Sequence, residues 1–135
     1  DDCSNRRVRV SARTMDFRLP MPASVRTLFR FLFLLAIVAS FWLALMPVPE
    51  TVSIVSWQDK IEHAMLFAVL ALFGLAAWPQ RPLTIAAGLL LYGAAMEWAQ
   101  SFTAHRTGDP LDWLADAVGV LVLLPAILRQ RRSLR

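Results

Sequence analysis

The feature that most constrains this chain is the apolar run Phe31–Met46, which contains no charged residue. If Arg30 extends its charged end to the membrane interface, the run begins at Leu28. Its nineteen residues would then span about 28 Å as a helix, close to the hydrocarbon thickness of a bilayer. The run is longer than the apolar part of a signal peptide and has no clear small-residue cleavage pattern. It therefore predicts a retained membrane-spanning helix over about residues 28–46.

Composition supports a membrane protein and excludes several other classes. The 135 residues are 57% hydrophobic and 18% charged, against about 45–50% and 25% in soluble domains, and the mean hydropathy is +0.51. The net charge of +4 comes from arginines that flank the apolar segments, without lysine-rich grooves, so no nucleic-acid partner is expected. The single cysteine, Cys3, excludes an internal disulfide and a zinc-finger pattern.

Three more helices follow the first, over about residues 58–78, 83–102 and 110–128. The segment Ser56–Asp59 matches an N-terminal capping box for the second helix, and two prolines in the turn after Trp78 separate it from the third. Asp109 is expected to cap the fourth helix, with Pro110 in its first turn and a bend before Pro125. The predicted fold class is an all-α integral membrane protein, a four-helix transmembrane bundle.

This bundle forms a single membrane domain over residues 27–129, between a basic, flexible tail of residues 1–26 and a second basic tail of residues 130–135. Seven of the fourteen basic residues precede Phe31, and four follow Leu128. Basic residues favour the cytoplasmic side. An even number of spans therefore predicts that both termini are cytoplasmic and that the two acidic loops face outward.

Small residues and tryptophans add detail to this prediction. Glycine and alanine allow close contacts between membrane helices, and tryptophans collect at the membrane interface. The residues expected to pack closely are Gly74, Gly88, Gly93, Ala94, Ala95, Ala115 and Gly119, and those expected in an outer aromatic belt are Trp57, Trp98 and Trp113.

Polar residues inside these apolar segments mark a candidate site. His63, Glu97 and Asp116 lie on three different helices at about the same predicted depth, roughly 6–9 Å below the outer surface. Lipid does not satisfy such groups, so we expect them to point inward together. The candidate ligand-binding residues are Asp59, Lys60, His63, Glu97, Gln100, Arg106, Asp112 and Asp116.

These residue types suit three kinds of chemistry. His63, with Asp59 one helical turn away, is a candidate acid–base pair, and Glu97 is a second candidate for a catalytic proton carrier. Arg106, in the loop above the site, suits a phosphate or carboxylate. A divalent cation is a candidate cofactor, and its candidate ligands are His63, Glu97, Asp112 and Asp116.

Structural roles compete with these functional ones. Asp59 is a candidate helix cap, and Lys60 a surface charge near the helix end. His63 alone would be an interhelical hydrogen-bonding residue, and Arg106 would form an ion pair with Asp112 or Asp116. Five such groups at one level nevertheless exceed what packing of four short helices requires, which favours a ligand or reaction site.

The same residues resemble the VanZ-like family of bacterial membrane proteins over about residues 28–128. The matching pattern is D-K-x-x-H at the start of one helix, E-x-x-Q at the end of the next, a loop arginine, and D-x-x-x-N/D-x-x-G on the last helix. It corresponds here to Asp59, Lys60, His63, Glu97, Gln100, Arg106, Asp112, Asp116 and Gly119. Asp116 departs from the pattern, because asparagine is commoner at that position.

The resemblance implies a role at the bacterial cell envelope, in the plasma membrane, since the family is similar to an accessory protein of teicoplanin resistance. It does not imply a mechanism. The polar residues and this envelope role together lead us to expect an outward pocket that binds an anionic, phosphate-bearing lipid or a lipid-linked cell-wall intermediate. The alternatives are an enzyme for hydrolysis or group transfer on such a lipid, with His63 or Glu97 as general base, and a structural membrane subunit.

Overall fold

The structure, a computed structural model, describes residues 21–47, 57–103 and 108–132. These residues form five α-helices, and no strand occurs among them. The helices are α1 (Ala23–Leu45), α2 (Gln58–Ala77), α3 (Pro82–Gln100), α4 (Pro110–Val122) and α5 (Leu124–Arg132). Helix α1 begins at Ala23, four residues before residue 27, where the sequence places the start of the membrane domain.

Among the described residues, three helices are long and apolar enough to cross a membrane, namely α1, α2 and α3. Their mean hydropathies are 2.3, 1.6 and 1.2 over the most apolar part of each helix. Large apolar side chains on α1 point away from the protein; Phe31, Leu35 and Trp42 are each about two-thirds exposed. Exposed side chains of this kind suit contact with lipid, so the fold indicates a membrane protein.

The fourth predicted span, over residues 110–128, differs from the prediction because it is not one continuous helix. Helix α4 ends at Val122, Leu123 forms a turn, and α5 begins at Leu124. Pro125 then lies in the first turn of α5, where its missing N–H is tolerated. The thirteen residues of α4 extend only about 20 Å, less than the hydrocarbon thickness, so α4 alone is too short to cross.

Prolines set most of the other helix ends. Met46 is extended before Pro47, as expected for a residue that precedes proline, and Pro82 is the first residue of α3. Asp109 caps α4 as predicted: its side chain accepts a hydrogen bond from the Leu111 N–H at 2.9 Å. In α2, Trp57 occupies the N-cap position without a side-chain hydrogen bond; Ser56, the first residue of the predicted capping box, lies outside the described residues.

Helix α2 is the centre of the bundle and contacts α1, α3 and α4. Its side chains Phe67, Leu70 and Ala71 are almost completely buried, and they pack with Leu89 and Met96 of α3. The most extensive of these contacts is the one between α2 and α4. The bundle therefore positions the side chains of α2 and α4 against each other.

Close packing of α2 and α4 depends on Gly119. A Cβ atom at this position would collide with the backbone carbonyl oxygen of Ala64, so no larger residue fits without separating the helices. The prediction of close packing is wrong for Gly88, because a Cβ atom there would meet no described atom within 4 Å.

The tryptophans predicted to form an aromatic belt divide into two groups. Trp57 and Trp98 are each 69% exposed, which suits that role. Trp113 is instead half-buried, and its indole N–H donates a hydrogen bond to the Leu90 carbonyl at 3.0 Å. Trp113 therefore joins α4 to α3.

Candidate functional site

Three titratable side chains from three helices meet inside the bundle. His63 Nδ1 on α2 lies 2.9 Å from Asp116 Oδ1 on α4 and 4.0 Å from Glu97 Oε1 on α3. The exposed fractions of His63, Glu97 and Asp116 are 7%, 8% and 0%. We call these three residues the inner cluster. The expectation that they point inward at one level agrees with this geometry.

The pairing of polar side chains between α2 and α4 follows from the spacing of these residues along each helix. Lys60 and His63 are about one helical turn apart on α2, and Asp112 and Asp116 are about one turn apart on α4. Both helices begin at the same end of the bundle, so Lys60 pairs with Asp112 and His63 pairs with Asp116. Gly119, one turn further along α4, lets the helices approach closely enough for both pairs to form.

A second cluster, the outer cluster, consists of Lys60, Asp109 and Asp112. Lys60 Nζ lies 2.9 Å from an oxygen of each aspartate. The Leu111 N–H and the Lys60 ammonium hold the pKa of Asp109 below its usual value. Lys60 is therefore not the isolated surface charge that the sequence suggested, and Asp109 does more than cap a helix. We call the end of the bundle that carries this cluster the polar end.

Glu97 connects the two clusters. Its Oε2 atom accepts a hydrogen bond from the backbone N–H of Asp109 at 2.9 Å. Its other oxygen, Oε1, faces the imidazole of His63. Glu97 thus attaches the start of α4 to the end of α3 and also belongs to the inner cluster.

Two oxygens of the inner cluster are buried without a hydrogen-bond partner among the described residues: Glu97 Oε1 and Asp116 Oδ2. A buried acceptor without a partner costs about 1–3 kcal/mol, and a charged one costs more. Buried oxygens of this kind are usually satisfied by a bound proton, water molecule, ion or ligand.

Gly93 of α3 lies against the inner cluster and leaves room for the Asp116 carboxylate. A Cβ atom at this position would lie 2.6 Å from Asp116 Oδ2 and 3.2 Å from the Phe67 ring. A side chain here would therefore displace the Asp116 carboxylate. The sequence predicted close packing at Gly93 but not its contact with the site.

Other predicted site residues are placed differently. The carboxylate that hydrogen-bonds to His63 Nδ1 belongs to Asp116, while a carboxylate oxygen of Asp59, the partner expected from the sequence, lies within 4.8 Å of a ring nitrogen of His63. Gln100 uses its side-chain NH₂ to donate to the Ala44 carbonyl of α1 at 3.1 Å, so it ties two helices together. Arg106 lies outside the described residues.

Two groups of side chains have the separations needed to hold a metal ion. In each group one ligand atom per residue lies within 4.8 Å of the others. The first group is the inner cluster, and the second is Asp59, His63 and Asp112. Lys60 already occupies one oxygen of Asp112, and its positive charge opposes a cation in the second group.

An apolar groove of about 720 Å³ lies along α1. Tyr92 of α3 forms part of its wall; the Tyr92 hydroxyl donates to the Ile37 carbonyl at 2.9 Å and lies 2.8 Å from Ser40 Oγ. Sequence reasoning missed Tyr92 and Ser40, although each is a polar residue within an apolar segment. The groove is lined by Ile37, Val38, Phe41, Trp42, Leu45, Met46, Pro47 and Tyr92.

The outer cluster leads to a first prediction. In Lys60→Met the carboxylates of Asp109 and Asp112 lose their shared cation, so we expect the melting temperature in detergent at pH 7 to fall by several degrees. The depressed pKa of Asp109 means that its contribution to stability is present at neutral pH and is lost as the pH falls through that pKa. The difference from wild type should therefore shrink in acid; a difference that is constant with pH would contradict the pairing.

Comparison of the chain with protein-family models, curated proteins and solved structures found no match. The function is therefore inferred from the geometry of the clusters and the groove.

Proposed function

We propose that this protein is a VanZ-like protein of the bacterial plasma membrane that binds an anionic, phosphate-bearing lipid or a lipid-linked cell-envelope intermediate. In this proposal α4 and α5 together complete the fourth crossing, and both termini are cytoplasmic. The polar end of the bundle then faces outward. A link to teicoplanin resistance is part of the family resemblance and belongs to the same proposal.

The observation that carries the proposal is an apolar groove and a buried polar cluster at the same end of one bundle. The Gln100–Ala44 hydrogen bond joins the final residues of α1 and α3, so the groove wall near Leu45 lies at the polar end. A groove of about 720 Å³ falls within the usual range of small-molecule sites, about 300–1,000 Å³. It suits an acyl chain, with the lipid headgroup at the clusters.

Recognition of the anion is assigned to Arg106. Lys60 is already paired with two carboxylates, so it has little charge to offer a phosphate. A guanidinium forms two parallel hydrogen bonds with a phosphate, and Arg106 follows the end of α3 by only a few residues. The loop arginine is therefore the side chain whose removal should affect lipid binding most directly.

Mass spectrometry of lipids that co-purify with the protein tests this proposal. We expect the wild type to retain a phosphate-bearing lipid and Arg106→Ala to retain at least about tenfold less, equivalent to about 1.4 kcal/mol. Arg81→Ala is the matched control, because Arg81 lies in the turn before α3, at the opposite end of the bundle. Equal retention by both variants would contradict anion binding by Arg106.

A second candidate function is catalysis on the same lipid, by hydrolysis or group transfer. It is favoured by the 2.9 Å contact between His63 Nδ1 and Asp116 Oδ1. A carboxylate in this position orients an imidazole and stabilises its protonated form, as a general base requires. In a purely structural subunit, by contrast, changes to these residues would affect assembly but not bound lipid.

A further inference from the structure

We propose that the inner cluster is a divalent-cation site, in which His63 Nδ1, Glu97 Oε1 and a carboxylate oxygen of Asp116 hold one ion such as Mn²⁺ or Zn²⁺. The site goes beyond lipid binding and does not depend on it. The cation would lie within the bundle, between α2, α3 and α4.

The charge balance of the described residues favours a cation. The two clusters contain four carboxylates: Glu97, Asp109, Asp112 and Asp116. They are opposed by one ammonium and one imidazole, from Lys60 and His63. With all four carboxylates ionised and the imidazole protonated, two negative charges remain. Ionised groups away from water are costly unless they are paired or bind a metal, and one divalent cation would neutralise the excess.

The separations in the inner cluster suit a single ion. Donor atoms that share one metal at about 2.0–2.2 Å lie roughly 3–4 Å apart. The distances from His63 Nδ1 to Asp116 Oδ1 and to Glu97 Oε1 are 2.9 Å and 4.0 Å. Only small side-chain adjustments would therefore bring all three donors onto one ion.

The two partnerless oxygens provide an independent observation. Glu97 Oε1 and Asp116 Oδ2 accept no hydrogen bond within the described part of the chain. Both atoms are buried, in residues that are only 8% and 0% exposed. A cation would satisfy Glu97 Oε1 directly, and it would satisfy Asp116 Oδ2 if that oxygen, alone or together with Oδ1, is the ligand. Gly93 lets Asp116 Oδ2 approach α3 closely, because a Cβ atom there would lie 2.6 Å from this oxygen.

The donor set indicates the class of metal. One imidazole nitrogen and two carboxylates suit first-row ions such as Mn²⁺ and Zn²⁺, whereas Ca²⁺ and Mg²⁺ prefer oxygen ligands alone. Three protein ligands also leave a coordination position open. An ion in this site would therefore be able to bind an oxygen of a bound molecule.

Titration with Mn²⁺ tests the proposal. The full chain, purified in detergent and stripped with EDTA, should bind one ion per chain, measured from the electron paramagnetic resonance signal of free Mn²⁺. Glu97→Gln and Asp116→Asn each remove a charged ligand while keeping the side-chain shape. We expect each to raise the dissociation constant at least tenfold.

Glu62→Gln is the matched control, since Glu62 is an exposed acid on α2 whose Oε1 accepts a hydrogen bond from Gln58. An equal loss in this variant would indicate general attraction to acidic residues and would overturn the site. Mn²⁺ should also raise the melting temperature of the wild type, since a ligand of the native state stabilises it. An unchanged melting temperature and the lack of stoichiometric binding would overturn the site even if the amide variants do not fold.

The proposed metal site and the proposed lipid site can be tested independently of each other. Arg106→Ala should lose bound lipid but keep its affinity for Mn²⁺. If Arg106→Ala instead raises that affinity strongly while lipid retention is unchanged, the arginine rather than a metal neutralises the acids, and the cation site is wrong.

Discussion

We expect Gly119→Ala to lower the melting temperature of the protein in detergent by on the order of 10 °C, a loss of about 3 kcal/mol at the upper end of the usual cost of overpacking. The added methyl group would overlap the carbonyl oxygen of Ala64. A backbone atom in the middle of α2 cannot rotate away as a side chain does. Helices α2 and α4 would therefore have to separate.

Gly88→Ala is the control for this effect, because a Cβ atom at that position would meet no described atom within 4 Å. Alanine has a higher helix propensity than glycine, by up to about 1 kcal/mol, so Gly88→Ala should melt at the same temperature as wild type or slightly higher. Equal melting temperatures for the two variants would show that α2 and α4 do not approach as closely as described.

The second large effect is expected in His63→Asn. Asparagine can still hydrogen-bond to Asp116, but it removes the imidazole from the inner cluster. If the protein binds lipid without acting on it, the retained lipid should fall at least about tenfold, equivalent to about 1.4 kcal/mol. The measurement is the amount of phosphate-bearing lipid per protein by mass spectrometry, with the melting temperature recorded for the same samples.

The same variant separates binding from catalysis. An enzyme that lacks its general base loses about 10²–10⁴-fold in rate but still binds its substrate, so lipid would be retained or would accumulate. Glu62→Gln, one residue away and exposed, should behave as wild type. Lipid retention that is unchanged in every site variant would favour a structural subunit.

Helices α1, α2 and α3 were predicted well because their signals are local. Long apolar runs define where a helix can cross a bilayer, and the backbone restrictions of proline decide where it ends. The break between α4 and α5 depends less on the local sequence. Pro125 indicates a bend, but whether it bends or divides the helix depends on what the residues around Leu123 pack against.

The sequence allowed the depth of the site residues in the bundle to be predicted, but not which side chains pair with each other. Helical rise places His63, Glu97 and Asp116 at one level, and three buried polar groups at one level in a membrane bundle must face each other. The sequence suggested Asp59 as the partner of His63, because Asp59 is close along α2; it did not suggest the contact with Asp116, which is close only across the interface. Complementary residues with similar spacing, Lys60 and His63 on one helix and two acids on another, were the signal that would have identified it.

The sequence by itself indicated a helical membrane protein, which it predicted to have four spans, and it indicated which polar residues lie at the same depth. These properties depend on local periodicity and on backbone chemistry. Only the tertiary structure decided that Asp116 faces His63, that Lys60 is shared by two acids, and that two carboxylate oxygens have no hydrogen-bond partner among the described residues. Such contacts join residues about fifty positions apart, and they depend on how closely α2 and α4 approach at Gly119.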